Sequence, residues 1–100
     1  MKKRFVVCID SSTKEQHDLF REFIRNEGLA WWHWVTNVWL LVDRKGQFSA
    51  SDIRDQVSRC YPNVDALVLE LRADDDSWSG FGPKTDQRNM FTWLKDHWNR

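Results

Sequence analysis

Asp10 closes the apolar run Phe5-Val6-Val7-Cys8-Ile9 and is followed by Ser11 and Ser12, so a carboxylate stands where a buried strand should emerge. Such a group can ligate a hard cation such as Mg²⁺, which prefers oxygen ligands and can bridge to a phosphate or activate water. Asp65 stands near the start of a second, largely apolar run, Val64 to Leu71. If the two runs are neighbouring antiparallel strands, Asp10 and Asp65 meet at one rim, near Ser11, Asn37 and Asn63. Asp10 is then the candidate catalytic residue, and Asp10 with Asp65 are the candidate metal ligands. The competing reading makes Asp10 the start of an Asx or serine turn that favours the positive end of the following helix.

Other residues capable of chemistry are less well arranged. Asp74, Asp75 and Asp76 form the densest acidic run but lack the D-x-D-x-D-G register of a calcium loop, and read as a solvated loop at the opposite rim. His17, His33 and His97 form no H-x-x-x-H pair, and Cys8 and Cys60 have no metal-ligand spacing, so no zinc site is expected. Both cysteines sit among apolar residues and read as reduced core thiols. His33, inside Trp-Trp-His-Trp, could serve as an acid or base, but reads more simply as a hydrogen-bonded packing residue. No P-loop, G-x-G-x-x-G or G-x-S-x-G motif occurs.

Seven tryptophans are the compositional outlier, and four of them, Trp31, Trp32, Trp34 and Trp39, crowd into two adjacent runs. Each buries a large area while retaining an N–H that wants a partner, so the four are the candidate interaction surface.

The elements that must position these residues follow from periodicity. Phe5 to Ile9 reads as a central strand buried on both faces. Ser12 and Glu15 form an S-x-x-E capping box for a helix bearing Leu19, Phe20, Phe23 and Ile24, which Gly28 stops. Trp31 to Val35 and Val38 to Val42 form a hairpin across Thr36-Asn37, with asparagine able to take the positive φ of a tight turn. Lys45-Gly46 makes a turn, Ser49 to Asp52 caps a second helix bearing Ile53, Val57 and Cys60, and Pro62 closes it. Val64 to Leu71 is the fourth strand. Residues 72–100 follow as a loop around Trp78 and Phe81, then a closing helix with Met90, Phe91, Trp93, Leu94 and Trp98.

The order is βαββαβ over residues 1–71, and right-handed crossovers give an antiparallel sheet ordered 4-1-3-2 with both helices on one face. This is a ferredoxin-like α+β domain, single across residues 1–100. Apolar residues on both sides of the hairpin require a cover for the second face. The C-terminal segment, a second copy or a ligand could supply it, and a homodimer is expected.

Composition limits the partners. Fifteen basic residues balance fifteen acidic ones, so no long-range field gathers nucleic acid. No run approaches the roughly 18 apolar residues of a membrane span, and no cleavable leader precedes the first strand. A cytoplasmic location is expected.

The run Trp31-Trp32-His33, with Thr36 to Leu41, Ser51-Asp52-Ile53-Arg54, Leu67 to Leu71 and Trp78-Ser79-Gly80-Phe81, resembles the SinR-like group of short bacterial proteins. That likeness implies a fold rather than a chemistry. More distantly, the apolar strand ending in Asp10-Ser11-Ser12 is similar to the small dimeric CRISPR-associated adaptation nucleases and the VapD ribonucleases. Those are ferredoxin-like dimers, and the likeness implies Mg²⁺-dependent cleavage of RNA or DNA with Asp10 as the metal ligand. Two functions are therefore expected from this chain: a homodimeric module binding itself or a protein partner through its tryptophans, or a metal-dependent endonuclease.

Overall fold

The computed structural model describes residues 1–72, 85 and 89–99. Four strands, β1 (Lys3–Ile9), β2 (Ala30–Val35), β3 (Val38–Asp43) and β4 (Ala66–Leu71), form one antiparallel sheet in the order β2-β3-β1-β4. Helices α1 (Lys14–Asn26) and α2 (Ala50–Cys60) provide the two crossovers. The order is the one expected from the sequence, with β1 central.

Strand alternation sends odd and even residues of β1 to opposite faces. Phe5, Val7 and Ile9 join Trp39 and Leu41 of β3 in a core completed by Phe20 and Ile24 of α1 and Ile53, Val57 and Cys60 of α2. Each large side chain in this core gains roughly 1.5–3 kcal/mol over an exposed position. Leu19, which shares the apolar spacing of α1, lies outside it and is exposed.

The second face has its own core. Trp32 of β2 and Val42 of β3 pack with Met90 of α3 (Met90–Trp93) and with Leu94 and Trp98 of the π-helical turn that follows, Leu94–Trp98. Lys2 Nζ donates to the carbonyls of His97 (3.2 Å) and Trp98 (3.3 Å), placing a cation on the negative end of this segment. The Arg4 guanidinium lies 5.3 Å from the centre of the Trp98 ring. The C-terminal segment is thus one cover of the second face. Trp78, Phe81 and the Asp74-Asp75-Asp76 run lie outside the described residues.

Local signals explain the boundaries, with two corrections. The cap of α1 is Thr13, paired with Gln16, and not Ser12 with Glu15. Ser12 is engaged elsewhere, donating to Asn37 Oδ1 at 2.6 Å. The capping box of α2 is Ser49 with Asp52, as expected. The second correction concerns the hairpin: Asn63 is the positive-φ non-glycine residue among those described, so Asn37 does not take the left-handed conformation. A register irregularity between Trp32 and Val35 accompanies this turn, and an irregularity of that kind can absorb the twist that an unprimed turn fails to supply. Among the described residues, no helix is long and apolar enough to cross a membrane.

Candidate functional site

The rim expected from topology is present. The Asp10 backbone N–H donates to Asp65 O (2.9 Å), and the Ile9 N–H donates to Asn37 O (2.9 Å). The ends of β1 and β4 and the β2–β3 turn therefore meet, and Asp10 and Asp65 are both exposed there. Asn37 cannot offer its amide oxygen freely, because it accepts the Ser12 hydroxyl. Among the described residues, no group of three or more His, Cys, Asp or Glu is placed to hold a metal. The two carboxylates share this rim through a backbone contact, and two carboxylates would be a partial donor set of the kind accepted by Mg²⁺, which commonly keeps several waters.

The four tryptophans do not form one surface. Trp31 and Trp32 are consecutive on a strand and so face opposite ways. Trp39 is fully buried in the helix-side core, against which half-buried Trp31 packs beneath the Arg25 guanidinium, 5.6 Å from its ring centre. Trp32, 7% exposed, is covered by the C-terminal segment, with half-buried Trp34 edge-on to it at 5.4 Å. Trp32 and Trp39 are therefore core residues of the single chain, leaving only Trp31 and Trp34 of the expected interaction surface partly open.

Two exposed apolar side chains share β4, whereas Met1, Leu19 of α1 and Val35 of β2 are exposed singly. Leu67 and Leu69 are 56% and 45% exposed, on the face away from the two main helices. They stand opposite half-buried Cys8 and Val6 of β1. Among the described residues β4 pairs only with β1, so its outer backbone edge has no strand beside it.

A polar cluster that sequence spacing did not announce lies inside the helix-side core. His17 of α1 is 8% exposed, and its Nδ1 is 2.6 Å from the Tyr61 hydroxyl at the end of α2. His33 of β2 stands edge-on to His17 with ring centres 4.5 Å apart. His33 also stacks flat on Trp39, 3.8 Å between centres, and its Nε2 lies 2.8 Å from Thr36 O. Burial pushes the Tyr61 phenol above its ordinary range, so it stays neutral in its hydrogen bond with His17 Nδ1, and the histidine tautomer sets which group donates. Neither His17 Nε2 nor Trp39 Nε1 has a hydrogen bond of ordinary geometry among the described residues, although Thr36 O lies near His17 and the Tyr61 hydroxyl beside the indole.

Burial also drives both histidine pKa values below their ordinary range, with the charges of His33 and Arg21 adding to the effect at His17. One signal could have found the cluster. His17 shares the spacing of Phe20 and Ile24 and so belongs to the buried stripe of α1, while His33 alternates with Trp31 on the helix side of β2. Of the two cysteines, Cys60 is buried, and burial pushes its thiol pKa up.

Comparison of the chain with family models, curated proteins and solved structures gives no match.

Proposed function

We propose that this chain is a ferredoxin-like interaction module that forms a homodimer by pairing the outer edge of β4 with the same edge of a second copy. The observation that carries this reading is the coincidence, among the described residues, of an unpaired β4 edge with exposed Leu67 and Leu69 on the same strand. A long apolar edge is a template for further strand pairing. Antiparallel pairing of β4 with itself is isologous, so one patch closes on its own copy about a two-fold axis. The other edge, β2, carries the irregularity between Trp32 and Val35, a feature that disfavours continued pairing. The strand order and the two crossover helices support the ferredoxin-like assignment.

Magnitudes set the expected strength. Four partly exposed leucines, two per copy, contribute several kcal/mol on burial, against an association cost of about 4–15 kcal/mol. Backbone hydrogen bonds along the new ladder must supply the remainder, so a dissociation constant on the order of micromolar is expected. Sedimentation equilibrium tests this. A dimer in the wild type and a folded monomer in Leu67→Lys or Leu69→Lys support the reading, whereas a wild-type monomer at about 100 µM rejects it.

A second reading is favoured by the backbone hydrogen bond that brings Asp10 and Asp65 to one rim: metal-dependent phosphodiester cleavage, as the likeness to the adaptation nucleases and VapD ribonucleases implies. Asp10 and Asp65 would hold Mg²⁺, and the ion when bound would supply Lewis acidity at the phosphate. The zero formal charge gives this reading no long-range attraction for a polyanion. Cleavage of labelled RNA or DNA that requires Mg²⁺ and disappears in Asp10→Asn supports it. Absence of cleavage by the folded wild type removes it.

A further inference from the structure

We propose that His17 and His33 form an acid-sensitive latch that holds the β2–β3 hairpin tip against α1, and that protonating the pair releases the tip. The two rings come from different elements and touch at 4.5 Å between centres. His33 grips the tip through Thr36 O, at 2.8 Å. His17 is held from the other side by Tyr61 at 2.6 Å. The latch therefore joins α1, the hairpin and the end of α2 through neutral rings.

The charged and titratable surroundings make a proton costly here. From α1 come Arg21, whose guanidinium lies 5.5 Å from the Trp39 ring centre, and Asp18. From β2 comes His33, and from the end of α2 the Tyr61 phenol; β3 offers only the Trp39 ring, and the turn only the Thr36 carbonyl. Asp18 is the anion of the set, but it is exposed and already bound by Lys14 and Arg21, each at 2.9 Å. A charged His17 would thus sit buried beside a second histidine and an arginine, and the nearby Thr36 carbonyl offsets this only in part. His33 has partial compensation from the Trp39 face and from Thr36 O, whereas His17, 8% exposed, is the more enclosed ring.

Release has a defined structural consequence. The tip also holds the end of β1, through the Ile9 N–H to Asn37 O and the Ser12 hydroxyl to Asn37 Oδ1. Opening the tip frees those groups and loosens the rim that carries Asp10. β1 and β4 retain their own pairing from Arg4–Leu71 to Ile9–Ala66.

Native-state hydrogen exchange, corrected for the intrinsic pH dependence of exchange, reads the two regions separately. Between about pH 7.5 and about pH 5, the opening equilibrium of the Ile9 N–H and the β2–β3 amides nearest the turn should rise about tenfold or more, since one proton gives up to tenfold per pH unit. The β1–β4 amides should change much less. His17→Gln should flatten the response, and His33→Gln should reduce it; the second variant stands in if the first does not fold. The latch is overturned by a flat wild-type profile, by an undiminished rise in the folded variants, or by simultaneous loss of protection in both regions.

Discussion

Leu67 of β4 lies directly across from Cys8 of β1 in the antiparallel register, yet Leu67 is 56% exposed while the Cys8 thiol is half-buried. Cys8 therefore reports on whatever approaches the open face beside β4. If a second copy approaches there, alkylation of Cys8 should slow several-fold as protein concentration rises, and Leu67→Lys should remove the concentration dependence. Cys60, buried and with its thiol pKa raised, should react slowly in both. Mass-spectrometric timing of the two modifications checks this.

The burial of Trp39 has a stability consequence that differs from that of Leu67. Trp39 is fully enclosed between His33, Phe20 and His17, so Trp39→Ala should cost about 3–5 kcal/mol, read as a shift in urea midpoint. Leu67→Lys changes an exposed side chain and should alter monomer stability by no more than about 0.5 kcal/mol.

Two glycines with similar backbone angles should respond differently to alanine. Gly28, at φ 70°, faces open space, and Gly28→Ala should cost about 1 kcal/mol of backbone strain. Gly46, at φ 67°, would drive its new Cβ into the Met1 carbonyl oxygen, while its N–H is held by Asp43 Oδ1 at 3.0 Å. Gly46→Ala should therefore cost more than Gly28→Ala, by about 1 kcal/mol or more, unless the terminus moves aside. Thermal unfolding of the two variants compares them.

Stability should fall as the solution becomes acidic. His17 and His33 have folded-state pKa values below the ordinary one, so between the two values the unfolded chain binds more protons than the folded one. Their contribution is fully present above about pH 6.5 and is lost as pH falls toward the folded-state values. Urea midpoints measured from about pH 8 to about pH 5 should decline more in the wild type than in His17→Gln.

Most of the fold was legible because its signals are local. The apolar run at Phe5–Ile9, the Ser49–Asp52 capping box and Gly28 each acted as their residue types require, and right-handed crossovers then left one strand order. The rim at Asp10 and Asp65 was readable for the same reason, since topology alone brings those strand ends together. The Ser12 cap was misread because two oxygens compete at that helix start, and the contact that decides between them, Asn37, lies 25 residues away. The tryptophans were misjudged as one surface because composition counts residues without assigning faces. Alternation separates Trp31 from Trp32, and only the fold places Met90, Leu94 and Trp98 over the latter. The contact between His17 and His33 joins a helix to a strand edge, and no spacing rule within one element reports it.

The most direct measurement of the central claim is sedimentation equilibrium on the wild type beside a Leu67→Lys, Leu69→Lys double variant, with circular dichroism to show that both are folded. A reversible wild-type dimer with a dissociation constant on the order of micromolar, and a double variant that remains a folded monomer, is the expected result. A wild type that stays monomeric, or a double variant that dimerises as tightly as the wild type, contradicts pairing through β4.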